Sequence, residues 1–373
     1  MKLDTVLIKV ASRCNINCSY CYVYNLGDTS WKGMPAQISI ETLEAVSDRL
    51  QAFSITDKHP FATVLHGGEP LLLGAMKLRL VLKELREKLP ESYPIGIQTN
   101  GLLITNEILD LCSEMKTSIS VSVDGPKEVH DMDRVGHDGE GTFDKVLSGL
   151  QLLSSHPDRE FLYTGILSVV NPATDPEEIY AFLKTLNPPA VDFLYRDGNH
   201  TTLPTGKASP GSTEYGSWFA RLLDIYLADP RPTRIRFLDD LIKLALGGLG
   251  TKDGAGVTDY GVLVIDTDGT ITKNDTLKSS FDGADRFHQN WSAMKDDLAK
   301  IIASGEFADY HALQKPSSPV CKTCPDLAVC GGGMTLHRWK NETGFNNPSV
   351  YCSDQKLLIS RIREHLCEAE SGL

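Results

Sequence analysis

Leu3-Asp-Thr-Val-Leu-Ile-Lys-Val10, followed by Ala-Ser-Arg-Cys14-Asn-Ile-Asn-Cys18-Ser-Tyr-Cys21, is the stretch on which the fold turns. A run of β-formers ends, and three cysteines follow within eight residues. Barrel-type sheets place their chemistry in the loops after the strands, so thiols directly after a first strand stand where a site is expected. Three thiolates can hold three irons of a [4Fe–4S] cube and leave the fourth iron open to a small bidentate ligand. Zinc is the alternative. Structural zinc is closed by four ligands, and the fourth has no neighbour in the sequence, although His66 and His130 stay open for that position.

Outward from this stretch, apolar β-like runs alternate with segments of helical period, the pattern of a parallel sheet with crossover helices. Strands are expected at Leu3 to Val10, Phe61 to Leu65, Ile95 to Thr99, Thr117 to Val123, Leu162 to Val170 and Val191 to Tyr195. Leu43, Val46, Leu50 and Phe53 share one helical face, as do Leu78, Val81, Leu82, Leu85 and Leu89. Further helices are expected around Ile108 to Cys112, Phe143 to Leu153 and Glu177 to Leu186, and another from a Ser212 cap through Leu222. Six βα units make an α/β fold of partial-barrel type, (β/α)6. Asn199 to Thr213 reads as a long loop, and the glycine-rich stretch Gly247 to Gly256 separates the barrel from the C-terminal part of the chain. The expected domains are residues 1–235 and 236–373, the second opening on a hairpin, Val262 to Thr272, around an Asp-Gly turn.

Composition narrows the function. The formal charge of −12 argues against a nucleic-acid partner, which needs basic surface. No apolar run approaches the ~20 residues of a membrane span, and Asp4 and Lys9 interrupt the only apolar stretch near the start, so no membrane association is expected and the compartment reads as cytoplasmic. The nine cysteines fall into two tight groups, with Cys112 and Cys367 apart and read as small buried hydrophobes. Close spacing in such a compartment points to metal rather than disulfides.

C-x₃-C-x₂-C after the first strand, with Tyr20 before the last cysteine, resembles the motif of the radical S-adenosylmethionine (SAM) superfamily. Other strand ends carry segments similar to that family's in the same order. His66-Gly67-Gly68-Glu69-Pro70 resembles its Gly-Gly-Glu element, which implies a contact from Glu69 to the SAM amino group. Gln98-Thr-Asn100-Gly and Ser122-Val-Asp124-Gly end the next two strands, where the family places ribose and carboxylate contacts. Arg134 matches a carboxylate bidentately and is the expected clamp on that group of SAM. The implied SAM-binding set is Tyr20, Gly67, Gly68, Glu69, Gln98, Asn100, Ser122, Asp124 and Arg134, around a [4Fe–4S] cluster on Cys14, Cys18 and Cys21.

Cys321-x₂-Cys324-x₅-Cys330-Gly-Gly-Gly and the later Cys352 supply four thiolates, the full complement of a closed [4Fe–4S] cluster or of structural zinc. Placed after a radical SAM barrel, they resemble the cysteine set of a SPASM domain. That pattern has further cysteines around the hairpin, where this chain has Gly261 and Asn274, so one auxiliary cluster is implied rather than two. Asp266-Thr-Asp268-Gly269, Asn274-Asp275, His337-Arg338, Asn347-Pro-Ser-Val-Tyr-Cys352 and Asp192 to His200 together resemble FxsB-type maturases that build three-residue cyclophanes in ribosomal peptides.

The resemblance implies a radical SAM oxidoreductase that abstracts a hydrogen from a precursor-peptide side chain and joins its β-carbon to an aromatic ring. A low-potential donor of flavodoxin or ferredoxin type is implied for the first cluster, and Asp275, His200 and His337 are the candidates for receiving a proton. His337 has a structural alternative, as a satisfied histidine, and Asp266, Asp268 and Gly269 have one as a hairpin turn. Other SPASM-type modifications, namely thioether formation, Cys or Ser oxidation and epimerisation, stay open, as does a zinc-stapled binding protein.

Overall fold

The computed structural model describes residues 2–57, 59–250 and 253–371. Thr251 and Lys252, inside the glycine-rich stretch read as a boundary, lie outside the described residues. Its strands are β1 (Thr5–Ala11), β2 (Ile16–Cys18), β3 (Ala62–Gly67), β4 (Ile95–Thr99), β5 (Thr117–Ser122), β6 (Arg134–Gly136), β7 (Tyr163–Val169), β8 (Ala190–Leu194), β9 (Arg234–Ile235), β10 (Val262–Ile265) and β11 (Ile271–Thr272). All six expected strands are present, as β1, β3, β4, β5, β7 and β8, with ends displaced by no more than two residues.

The chain forms two compact units: Met1–Leu167 with Leu186–Pro189 and Gly261–Tyr310, and Ser168–Thr185 with Ala190–Tyr260 and His311–Leu373. These do not follow the expected boundary at residue 235. The reason is β10, which pairs parallel with β1, Ile265 opposite Ile8, and so returns the hairpin to the first sheet. Within the first unit the strand order is β11-β10-β1-β3-β4-β5-β7. Its pairings are parallel except for the β10–β11 hairpin, whose turn closes with Gly269 at φ +84°, a left-handed value that favours glycine.

Side chains alternate across this sheet with the period of two that strand geometry imposes. Val6, Ile8, Leu65, Ile97, Ile119 and Val121 are fully buried. Between them Leu7, Val64, His66, Gly96, Gln98 and Ser120 occupy the less buried face, which Lys9 shares. Helices Ile40–Thr56 and Gly74–Lys88 bury the faces read from their periodicity, Leu43, Val46, Leu50 and Phe53 on one and Leu78, Val81, Leu82 and Leu85 on the other.

In the second unit β8 and β9 pair in parallel, and the long helix Cys352–Ser371 lies against helix Glu214–Ala228. The approach is close: a Cβ at Gly216 would stand 2.6 Å from Asp354 Cα. The loop after β8 is pinned rather than loose. Lys207 Nζ reaches Asp354 Oδ2 at 2.5 Å and the Ser212 carbonyl at 2.6 Å, with both charged groups fully enclosed. Helix Glu214–Ala228 begins after Thr213, while Ser212, read as its cap, donates instead to Glu214 and the Ser209 carbonyl. Cys112 is buried as expected, but Cys367 is exposed, because it lies on the outer face of the last turns of its helix.

Gly216→Ala should push the two helices apart and strain the Lys207–Asp354 pair, costing about 1–3 kcal/mol, the usual range for overpacking. A shift of the urea midpoint at unchanged m-value measures it.

Candidate active site

The first cysteine loop is held from two sides. β2 pairs antiparallel with β6, Cys18 opposite Arg134, and Ser19 N–H bonds the Asp133 carbonyl at 2.9 Å. Asn100 Nδ2, at the end of β4, lies 3.8 Å from Cys14 Sγ and donates to Asn15 Oδ1 at 2.8 Å. His137 Nε2 meets the Cys14 carbonyl at 3.0 Å. Burial pushes the Cys14 thiol up to about 12 and Cys21 to about 11, and raises Cys18 against the lowering effect of Arg134.

Around this loop the residues expected to bind SAM form two hydrogen-bonded groups. Arg134 Nη1 donates to Tyr20 Oη at 2.8 Å, and Tyr20 donates to Asp124 Oδ2 at 2.6 Å. Burial opposes the Arg134 charge, yet Tyr20, Cys18 and Asp124 hold it protonated, and its Nε has no partner among the described residues. Gln98 Nε2 bonds Ser122 Oγ at 3.0 Å beside this chain of contacts. The second group centres on Glu69, 1 % exposed. Its carboxylate accepts from Thr99 Oγ1 at 2.7 Å, Asn100 N–H at 2.8 Å and Leu71 N–H at 2.9 Å. Burial pushes Glu69 upward while those donors pull it back. A carboxylate offers about four lone-pair sites, so one direction remains for a ligand ammonium. Gly67 and Gly68 have no room for a side chain: a Cβ would lie 2.0 Å from the Ala11 carbonyl oxygen and 2.2 Å from that of Arg13.

Asp275 sits in the same unit, 1 % exposed, in the segment after β11. Lys9 Nζ approaches its Oδ2 at 3.0 Å and Asp266 Oδ2 at 3.5 Å, while Tyr22 Oη donates to Asp275 Oδ1 at 3.2 Å. Burial alone would raise Asp275; Lys9, with Lys278 behind it, brings it below the usual carboxylate range. His66, directly across β3 from Lys9, is held neutral by burial, and its Nδ1 has no partner among the described residues. Lys9, Tyr22 and Thr99 carried no assigned role in the sequence reading. A lysine between Ile8 and Val10 in an apolar strand was the available signal, because a cation there needs a buried counter-charge.

The other two proton-acceptor candidates belong to the second unit. His200 Nε2 bonds the Pro348 carbonyl at 2.8 Å, and its backbone N–H bonds that of Trp339 at 3.0 Å. His337 is buried against Tyr351, ring centroids 4.9 Å apart, and burial pushes it down to about 3. His200 carries the hydrogen bond of a structural histidine, whereas the buried Nε2 of His337 has no partner among the described residues.

Cys321, Cys324, Cys330 and Cys352 line one recess with Val320, Leu327, Gly332 and Lys356. Its empty volume is about 330 Å³ including open solvent. Gly331, Gly332 and Gly333 all have positive φ, +64°, +85° and +66°, and carry the chain around Cys330 so that Gly332 N–H reaches its sulfur. A Cβ at Gly331 would stand 1.9 Å from the Gly256 carbonyl oxygen. Among the described residues no three Cys, His, Asp or Glu side chains converge to hold a single metal ion. The ligands of a cube need no such convergence, since each thiolate binds a different iron. Four thiolates around a mostly apolar recess fit that group.

A parallel α/β sheet with an open three-cysteine loop at its strand ends defines an iron–sulfur enzyme of barrel type. A family model described as the Radical SAM superfamily matches residues 8–186. An uncharacterized protein of Methanothermobacter thermautotrophicus is 30% identical over 250 residues, covering 64% of this chain and 86% of that relative. A cysteine-type anaerobic sulfatase-maturating enzyme of Clostridium novyi is 24% identical across 97% of this chain and 96% of its own length. The solved structure of native anSMEcpe with bound AdoMet and Cp18Cys peptide has a TM-score of 0.81 at 21% identity, covering 100% of this chain and 99% of that one. The chain belongs to the radical SAM superfamily. It is a radical SAM enzyme, with SAM and [4Fe–4S] as cofactors.

Lys9→Met should destabilise the protein by about 3–5 kcal/mol, the cost of leaving a buried charge without its partner. The sign of the pH dependence should reverse. In the wild type Asp275 is held low, so the pair contributes above the ordinary carboxylate range and is lost as acid protonates it. In Lys9→Met burial raises Asp275, so stability grows as pH falls, and Lys9→Met with Asp275→Asn recovers much of the loss at neutral pH; urea denaturation at two pH values reads all three.

Proposed function

We propose that this enzyme oxidises a side chain of a ribosomally made precursor peptide, joining a β-carbon to the ring of an aromatic residue two positions away in a three-residue cyclophane. When bound, SAM and the first cluster supply the 5′-deoxyadenosyl radical that removes the β-hydrogen. The chain's own residues orient the reactants, exclude water and take the proton released as the ring is restored. Asp275 is assigned that proton: Lys9 keeps it in the ionised form an acceptor needs, and Tyr22 fixes its other oxygen. His200 and His337 rank behind it because a backbone carbonyl occupies one and an apolar ring environment the other. Tyr20, Gly67, Gly68, Glu69, Gln98, Asn100, Ser122, Asp124 and Arg134 are assigned to SAM. Cys321, Cys324, Cys330 and Cys352 are assigned to one auxiliary [4Fe–4S] cluster, which would supply an acceptor for the released electron. We place the enzyme in the cytoplasm with a flavodoxin- or ferredoxin-type donor; no helix among the described residues is long and apolar enough to cross a membrane.

The single auxiliary site carries the preference for a cross-link. Gly261 and Asn274, where two-cluster patterns have cysteines, are committed otherwise here. A Cβ at Gly261 would stand 2.0 Å from the Lys2 carbonyl oxygen, and Asn274 Oδ1 caps Thr276 N–H at 3.1 Å. A second reading is oxidation of Cys or Ser to an aldehyde, which the full-length similarity to sulfatase-maturating enzymes favours.

Reconstituted enzyme incubated with a peptide deuterated at the β-carbon should transfer deuterium to 5′-deoxyadenosine and yield a product two hydrogens lighter, with a ring-to-β-carbon bond in its fragment spectrum. A product that a hydrazine traps assigns the aldehyde chemistry instead, and 5′-deoxyadenosine without deuterium overturns both. Asp275→Asn should lower product formation by about 10²–10⁴, the usual contribution of a positioned acid or base, with iron content and SAM cleavage retained.

A further inference from the structure

We propose that Arg338, Lys356 and Gln355 form a built electrostatic shell that raises the reduction potential of the auxiliary cluster and so makes it an electron acceptor. The inference rests on the assignment of a cluster to Cys321, Cys324, Cys330 and Cys352.

Arg338 is 1 % exposed, yet its guanidinium Nη2 meets only neutral groups, the carbonyls of Leu313 at 2.9 Å and Gln314 at 2.8 Å and the Thr335 hydroxyl at 2.9 Å. Its Nε has no partner among the described residues. A buried cation of this kind needs a negative counterpart; Asp253 supports it, and Cys321 and Cys330 lie near enough to add to that support once they ligate a cluster as thiolates. Lys356 lines the recess with all four cysteines and acts on Cys321 and Cys352. Asp326 lines it too, but its carboxylate is paired with Arg363.

Gln355 completes the shell. Cys330 Sγ lies 2.9 Å from its Oε1, the geometry of a thiol donating to an amide. A ligating thiolate has no hydrogen to give, so loading requires the amide to turn its Nε2 toward the sulfur. Gly333 leaves room for that turn: a Cβ there would press to 3.1 Å from Nε2. With Gly332 N–H already directed at the same sulfur, Cys330 then accepts two hydrogen bonds.

Reduction adds one electron, and one negative charge, to a cluster that is already anionic. Two nearby cations and two N–H donors stabilise the reduced form more than the oxidised one, which raises the potential. In turnover the substrate radical supplies that electron, and its proton leaves separately to the assigned carboxylate.

The test uses a full-length Cys14/Cys18/Cys21→Ala protein, reconstituted anaerobically so that only the second site holds iron, and titrated with dithionite under EPR. Arg338→Met, Lys356→Met and Gln355→Leu should each lower the midpoint potential, at an iron and sulfide content equal to that of the parent. Lys356 is exposed at the recess, so its variant carries the test should Arg338→Met or Gln355→Leu fail to fold. Midpoints that coincide with the parent at full cluster content overturn the shell while leaving the cluster assignment in place. A parent that takes up no cluster, or takes up zinc, overturns the assignment and the shell with it.

Discussion

The register of β1 is the constraint on which the first unit depends. Ile8 faces Leu65 on one side and Ile265 on the other, and Leu65 in turn faces Ile97. With the strands parallel and in step, their C-terminal ends arrive together, and the segments that leave them are brought to one rim. The cysteine loop leaves β1, the Gly-Gly-Glu segment leaves β3, Asn100 follows β4 and Asp124 follows β5. A one-residue slip would turn every inward side chain outward, because the side-chain period of a strand is two. The same register sets Lys9 opposite His66 and brings the end of β10, with Asp266, beside them. The row is polar, and its lysine is held between two carboxylates.

Buried charge organises both units, in opposite ways. In the first, the charges are balanced by protein: Lys9 against Asp275 and Asp266, and Arg134 against Asp124 through Tyr20. Such pairs contribute little net stability over an apolar core of equal volume, but removing one member is costly. They therefore fix which side chain stands where. In the second unit Lys207 and Asp354 balance each other and join the loop after β8 to the last helix. Arg338 makes no direct ion pair among the described residues; Asp253 supports its charge, and an anionic cluster on the neighbouring cysteines would add to it.

Much of this was legible in the sequence because local chemistry dominates there. Strand runs such as Ile95–Thr99, helix faces such as Leu43 to Phe53, and cysteine spacing each arise from residues close together in the chain. What sequence could not supply were relations between distant segments. Nothing in Val262–Ile265 distinguishes a hairpin strand of a separate domain from a strand added beside β1; the parallel pairing decides it. Lys9 was visible as an interruption in an apolar strand, but its partner lies 266 residues on, at Asp275. Thr99 sat between two named candidates and drew no attention, although it is the hydroxyl that holds Glu69. Cys367 was misread for a simpler reason: helical position, not residue type, sets its exposure.

The cysteines show why cluster and fold are coupled. A ligand must be a thiolate, whereas burial in this protein pushes Cys14, Cys330 and Cys21 up to about 12, 12 and 11. Without iron these groups are held as thiols at neutral pH, and loading releases their protons, so affinity for iron rises with pH. The desolvation that disfavours a bare thiolate is offset when its charge is shared with a metal core in the same apolar recess. On the proposed assignment the three thiols of the first group would leave one iron of a cube to a small molecule, whereas the four that line the second recess beside Gly332 and Lys356 would ligate every iron. On that assignment one site opens to a reactant and the other holds charge, and the difference lies in the count of thiols.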